Sequence, residues 1–342
     1  MARRRQNSRR AVVCGGSGFL GSHLADALTD RGVQVTIFDR RPSPYLRPGQ
    51  RMVLGDILDP DAVKPVLAGC DYIYHFAGLA DLDDATTQAL ETVRLNIMGT
   101  VTLLDAAVQA RVKRFIYAST VYVYSALGGF YRCSKQAGEL YVEEYQQRYG
   151  LDYTILRHGT LYGPRADARN SLYRYLRQGL IEGRIEFTGS REDRREYIHV
   201  RDAARLSVDV LADEFRNQHI LLTGQDPMKV IDLLQMIREI LSGAVTINFA
   251  SQPNTAHYVM TPYSFLPKVG HKLVSTRYHD MGQGLLECLH ELHAELKGAT
   301  PCGLSGHKTP RRQGSAGSAP ASPTPSRKRQ SRTPALTGDI AS

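Results

Sequence analysis

Cysteine is scarce: five residues (14, 70, 133, 288 and 302) are scattered over 342 positions. Their number is odd and their spacing matches no metal motif. This argues against a disulfide framework or a zinc site and fits a reducing, cytoplasmic setting. The 11 histidines never cluster as ligands, so no metal is expected. Long apolar runs are missing too, and none approaches the length needed to span a bilayer. The arginine-rich start leads into an apolar run with no cleavage-site pattern, so no signal peptide is expected. Acidic residues are scarce where basic ones gather. Residues 1–10 carry five Arg and no acid, and residues 299–342 carry seven Lys or Arg against Asp339. The net charge of +9 therefore belongs to the ends, and the body between them is left at about −2. A nucleic-acid-binding surface on the body is excluded on that ground. The second end, rich in Pro, Ser, Gly and Arg, holds almost no large apolar residues and cannot bury enough to fold. Residues 1–10 and 299–342 are expected to be disordered basic extensions.

With 42% hydrophobic residues, the remainder suits one large domain, or a large and a small one. Its most informative stretch starts at Ala11. A short apolar run to Cys14 meets Gly15, Gly18 and Gly21, and Phe19, Leu20, Leu24, Ala27 and Leu28 follow at helical spacing. Gly32 stops this helix, and a β-branched run then ends on Asp39, 24 residues after Gly15. Strand, glycine turn, helix, strand and acid in that order form a dinucleotide site. Gly15 permits the tight turn. Gly18 lets backbone N–H groups approach a pyrophosphate, and Gly21 lets the helix pack on the strand. Asp39 stands where a carboxylate accepts both ribose hydroxyls of NAD, although Arg40 and Arg41 leave NADP open.

Apolar runs at Val35–Phe38, Met52–Leu54, Tyr72–Ala77, Arg114–Thr120 and Tyr153–Leu156 alternate with helical patterns near 60–68, 84–110, 131–149 and 171–180. The fold expected is a doubly wound parallel α/β sheet of the Rossmann kind, spanning 11–165. Beyond it the pattern loosens into short runs (Arg184–Phe187, Tyr197–Val200, His219–Leu222, Thr246–Phe249) and helices at 202–211, 230–241 and 280–296. Residues 166–298 are read as a smaller, partly interleaved substrate lobe.

Tyr131 and Lys135 lie four apart, on one face of a helix. A nearby ammonium is expected to lower the phenol pKa and to hold a ribose hydroxyl. The phenol can then exchange a proton with a substrate hydroxyl while hydride moves to or from nicotinamide. Thr120 ends the strand before this helix, at the sheet edge where ligands bind, and can hydrogen-bond the same substrate oxygen.

Together these motifs resemble the extended short-chain dehydrogenase/reductase family, and within it the nucleotide-sugar epimerases of the UDP-galactose 4-epimerase kind, over about residues 11–297. Gly-Gly-Ser-Gly-Phe-Leu-Gly (15–21) matches the family's glycine loop, with Phe19 and Leu20 inside it. Gly55-Asp56-Ile57 matches the segment that holds adenine, with Arg40 nearby. His75-Phe76-Ala77-Gly78-Leu79 is similar to the loop beside the cofactor, and Asn96-Ile-Met-Gly-Thr100 to the helix whose Asn lies near the nicotinamide. The resemblance gives Thr120, Tyr131 and Lys135 the catalytic roles. It implies substrate contacts from Ser119, Thr120, Tyr131, Thr160 (in the stretch from Leu156-Arg157 to Tyr162-Gly163-Pro164-Arg165) and Arg195 (in the stretch to His199 and Asp202). Arg195 would meet the diphosphate. Tyr263, Lys268 and Lys272 are further diphosphate candidates, with a plain surface loop as the alternative.

Three departures bear on the sugar. Tyr131 comes only 11 positions after Thr120, so part of the covering loop is missing. Thr160 replaces the customary Asn, and Gly159 replaces a bulkier residue, which is expected to leave room beside nicotinamide or sugar. One absence bears on the reaction. Where 4,6-dehydratases follow the catalytic Thr with Asp-Glu, and decarboxylases keep a Glu, this chain has Val121 and Tyr122. Neither shuttles protons at neutral pH, which disfavours dehydration.

The reaction implied is epimerisation by transient oxidation at one sugar carbon, C4, with NAD as cofactor and a nucleotide-diphosphate sugar as substrate. A one-way reductase or dehydrogenase, and a non-catalytic dinucleotide sensor or scaffold, are the competing readings. No membrane partner is expected, and a homodimer is left open. His23 is read as a surface or capping residue, and Tyr122 and Tyr124 as packing at the strand end.

Overall fold

The computed structural model describes residues 9–80, 85 and 87–250. The helix expected at 280–296, the segment with Tyr263, Lys268 and Lys272, and nearly all of both basic ends lie outside the described residues. Arg10, counted with the basic arm, instead opens the first strand, and its N–H donates to Asp71 Oδ2 at 2.8 Å.

The chain builds β1 (Arg10–Cys14), α1 (Phe19–Asp30), β2 (Gln34–Asp39), β3 (Gln50–Leu54), α2 (Pro60–Leu67), β4 (Tyr72–His75), α3 (Ala89–Thr92), α4 (Gly99–Ala110), β5 (Arg114–Thr120), α5 (Gly129–Tyr149) and β6 (Tyr153–His158). Then follow β7 (Thr160–Tyr162), α6 (Ser171–Glu182), β8 (Arg184–Thr188), β9 (Arg194–His199), α7 (Val200–Asp209), β10 (Gln218–Leu222), β11 (Pro227–Lys229), α8 (Val230–Ile240) and β12 (Thr246–Ala250). Seven strands form one sheet in the order β10-β6-β5-β4-β1-β2-β3. Every neighbouring pair in it is parallel.

Strand alternation sends successive side chains to opposite faces, and both faces are buried. Val12, Cys14, Ile73, Phe115, Tyr117 and Ile155 pack with Val63, Leu67, Leu103, Leu104 and Val142 from α2, α4 and α5. Ala11, Val13, Tyr74, Ile116 and Leu156 pack on the other side with Leu24, Ala25, Leu28, Ala203 and Val208 from α1 and α7. The continuous apolar runs follow from this two-sided burial, each large side chain contributing roughly 1.5–3 kcal/mol. Strand order reverses between β1 and β4, so a crevice opens at their carboxyl ends, where such sheets take ligands.

The chain after β6 makes two small sheets, β11-β9-β7 and β12-β8, while β10 returns to the edge of the main sheet. A third cluster (Leu172, Ile185, Phe187, Val230, Leu234, Ile237) ties α6 and α8 to β8. β7 and β11 are three-residue strands with no alternation to read. The run expected to reach Ala77 stops at His75, where the chain turns to meet the glycine loop. The helix expected over 84–110 is broken by a π-helical stretch, Val93–Met98.

Candidate active site

The glycine loop is tight because two positions accept no side chain. At Gly15 (φ +85°) a Cβ would stand 2.6 Å from the Ala77 nitrogen, and at Gly21 it would stand 2.2 Å from the Gly15 oxygen. β1, the Phe76–Ala77 loop and the start of α1 therefore meet backbone to backbone. α1 opens at Gly18 with no side-chain cap and no acid in its first turn. Its N–H groups and dipole face the crevice, an arrangement made for a pyrophosphate. Asp39 is fixed on the rim, accepting from the backbone N–H groups of Ser17 (3.1 Å) and Arg41 (3.2 Å). Arg40 lies 4.0 Å from Asp56 rather than beside Asp39. Asp56 also caps Leu58 N at 2.9 Å, and the next residue, Ile57, is buried.

Asn96 closes the next side. Its Oδ1 accepts from Leu79 N at 2.7 Å, while its amide donates to Leu79 O and to Ser134 Oγ, each at 2.9 Å. The π-helical stretch carries Asn96 to this position, joining the Phe76–Leu79 loop to α5.

Tyr131 and Lys135 occupy the first two turns of α5, and the Tyr131 hydroxyl shares a hydrogen bond with the Thr120 hydroxyl at the end of β5. Lys135 is buried and donates to Ala118 O at 2.8 Å. Its Nζ stands 5.0 Å from the Tyr117 ring centre and 5.9 Å from that of Tyr131. The phenol pKa moves opposite to the expectation: burial pushes it up to about 12, against the pull of the Thr120 hydrogen bond. Burial also brings the Lys135 ammonium down to about 8, against the attraction of Glu139. With Lys135 turned to a carbonyl, desolvation of Tyr131 outweighs the cation.

Other expected residues stand differently. Ser119 is buried and its hydroxyl donates to Glu139 Oε1 at 2.5 Å, so it does not join the Thr120–Tyr131 group. Arg195 is half-buried in β9, donating to Arg194 O at 3.0 Å and lying 3.5 Å from Asp193. Thr160 opens β7 opposite Tyr197. The room expected at Gly159 is taken: a Cβ there would meet Thr223 at 3.1 Å and the Glu196 oxygen at 3.3 Å. His23 is neither a surface nor a capping residue; it is buried, with Nε2 2.9 Å from Pro164 O. Tyr124 does more than pack, since its hydroxyl accepts from Arg157. The sequence reading missed Glu139, although it continues the Tyr131–Lys135 spacing by one more helical turn. Among the described residues no cluster of His, Cys, Asp or Glu is placed to hold a metal ion, and no helix is long and apolar enough to cross a membrane.

Comparison with known proteins agrees with this geometry. The chain is 32% identical over 225 residues to dTDP-glucose 4,6-dehydratase of Streptomyces niveus, covering 57% of this chain and 67% of that one. It is 27% identical over 276 residues to UDP-glucuronic acid decarboxylase 1 of Arabidopsis thaliana, covering 72% and 61%. The structure superposes on UDP-glucuronic acid 4-epimerase of Bacillus cereus, solved with UDP-glucuronic acid and NAD, with a TM-score of 0.69 at 24% identity, covering 76% and 95%. The family model for the NAD dependent epimerase/dehydratase family matches residues 11–222. With its glycine loop, its rim carboxylate and its Thr120–Tyr131–Lys135 group, the chain belongs to that family of NAD-dependent enzymes.

Proposed function

We propose that this protein is a nucleotide-sugar epimerase that oxidises one sugar carbon, C4, transiently and returns the same hydride to the other face. The observation that carries this reading is the turn after Thr120. Residues Val121–Tyr124 hold no carboxylate, and Val121 is buried. Removing water or carbon dioxide from a sugar calls for a second acid or base beside the first, and this turn offers none. Glu139 does not serve, because Arg157 and Ser119 hold it from both sides. Redox at a single carbon is what the remaining groups can perform.

NAD, when bound, supplies the hydride acceptor and a positive nicotinamide ring. The α1 N-terminus and Gly18 would take its pyrophosphate, Asp39 its ribose hydroxyls, and Asp56 and Ile57 its adenine side, while Phe76, Ala77, Gly78 and Asn96 would hold the other end. Tyr131 accepts the proton of the substrate hydroxyl, Thr120 orients that oxygen, and Lys135 holds the nearby ribose. Thr160 and Arg195 are assigned to the nucleotide-sugar, Arg195 leaving Asp193 to meet the diphosphate. Residues 11–165 would thus bind dinucleotide and 166–298 substrate. The assembly proposed is a homodimer, with the exposed Leu140 and Tyr141 of α5 as the face to vary.

A panel of UDP-, GDP-, dTDP- and CDP-sugars, incubated without added cofactor and read by NMR, tests the reading. Formation of a C4 epimer from one of them supports it. Loss of water or carbon dioxide, or NAD content with no turnover on any sugar, overturns it.

A further inference from the structure

Behind the Tyr131–Lys135 pair lies a buried ionic network that the proposed chemistry does not use. Glu139 is buried on α5, one turn beyond Lys135 and two beyond Tyr131. Its Oε1 accepts from Ser119 Oγ (2.5 Å) and Arg157 Nε (3.0 Å), and its Oε2 accepts from Arg157 at 2.6 Å. The same guanidinium reaches the Tyr124 hydroxyl and, at 3.0 Å, His219 Nδ1. His219 Nε2 in turn stands 2.9 Å from Glu143. Five pieces of the fold meet here: the end of β5, the turn Val121–Tyr124, β6, β10 and α5. Two more bonds fasten that turn and the residue after it to the same helix, from Gln136 to Val123 O (2.8 Å) and from Arg132 to Ser125 O (3.0 Å).

A buried ion pair is costly to assemble and is weak evidence of stability, so a positional or electrostatic role is the better reason for it. The groups around Lys135 narrow that role. Tyr131 and Glu139 face it from its own helix, Tyr117 from β5, His75 from β4 and His158 from β6. Both histidines are held neutral by burial, and both phenols are held protonated. Of these five, Glu139 is the one carboxylate, and it is ion-paired with Arg157 at 2.6 Å.

We propose that Glu139 is the positioning residue of the proton-transfer pair: through Ser119 it fixes the strand end that carries Thr120, and through its charge it keeps Lys135 an ammonium. Arg157 has the complementary part, holding the carboxylate in place and tethering the Val121–Tyr124 turn through Tyr124. This inference rests on the reading that Lys135 and Tyr131 carry the chemistry, and the test separates the two.

The full chain, labelled with [13Cε]lysine, is titrated by NMR, the Lys135 signal being assigned from Lys135→Arg. In Glu139→Gln the Lys135 midpoint should fall by roughly one pH unit, the scale of one lost neighbouring charge. Because Arg157, largely enclosed, would then lack its counter-charge, that variant can fail to fold. Glu139→Gln/Arg157→Met removes both charges and should show a smaller fall in the same direction. Glu139→Asp keeps the charge and should hold the midpoint near that of the parent. A Lys135 midpoint unmoved in the double variant would reduce Glu139 to a structural residue and overturn the inference. NAD+ affinity against pH is measured on the same variants. Its basic limb should follow the NMR midpoint. If the midpoint moves and the limb does not, Lys135 does not hold the ribose, and the reading of the site falls while the inference about Glu139 stands.

Discussion

The Ser17 backbone N–H donates to Asp39 Oδ2 at 3.1 Å, so the glycine loop and the rim carboxylate form one rigid unit. Arg40, the side chain that could have neutralised Asp39, is drawn towards Asp56 instead. A 2′-phosphate would therefore meet an anion of fixed position. NAD should bind more tightly than NADP, and Asp39→Ala should weaken NAD by about 10–100-fold, the scale of hydrogen bonds to a charged acceptor. Calorimetric titration of both cofactors checks this, and tighter binding of NADP to the parent protein would contradict it.

Gly21→Ala should damage both fold and cofactor binding. The added methyl would stand 2.2 Å from the Gly15 oxygen, a backbone atom that cannot rotate away. The loop must move, at a cost of about 1–3 kcal/mol. A lowered melting temperature together with weakened NAD binding is expected. Gly32→Ala provides the contrast: nothing stands within 4 Å of its Cβ position, and only the strain of φ +74° is added.

Acid should destabilise the protein well above the carboxylate range. Burial holds His75 down to about 3 and His158 down to about 4, whereas both titrate near 6.5 when unfolded. Above about pH 6.5 neither state binds these protons and nothing is lost. Below it the unfolded chain takes up two protons that the folded chain refuses. Stability then falls by about 1.4 kcal/mol per pH unit for each histidine until the folded values are reached. Denaturant unfolding at pH 7, 6 and 5 should show this slope, and His158→Gln should make it shallower. Equal stability at pH 7 and 5 would show that these rings are not buried neutral.

Tyr131→Phe should cut turnover by about 10²–10⁴-fold while leaving NAD binding unchanged, since only the proton-carrying oxygen is lost. Lys135→Ala should reduce both. Because burial brings Lys135 down to about 8, the ammonium is present below that pH and lost above it, so NAD affinity should fall as pH rises through 8. Near-normal turnover of Tyr131→Phe would move the proton to another group.

The local parts of this site were legible in the sequence. Gly15, Gly21 and Asp39 belong to one strand–turn–helix–strand unit whose spacing follows from backbone geometry, and Tyr131 and Lys135 from one helix face. What failed depends on residues distant in the chain. Gly159 is crowded by Thr223, just past the end of β10, and by Glu196 of β9, both from a part of the chain whose pattern is loose. The π-helical stretch around Asn96 leaves the apolar spacing nearly unchanged, so nothing marked it. The direction of the Tyr131 shift is set by how deeply its ring is desolvated and by where Lys135 points, and neither is written in their spacing.

The most direct test of the epimerase reading follows the hydride. A nucleotide sugar deuterated at C4, chosen from the panel above, is incubated with the protein and no added cofactor, and product is examined by mass spectrometry and NMR. An enzyme that returns the hydride it takes should give inverted product with the deuterium retained at C4 and no net oxidation. Strict dependence on added NADH or NADPH, with cofactor consumed in step with product, would contradict the reading and leave a one-way reductase.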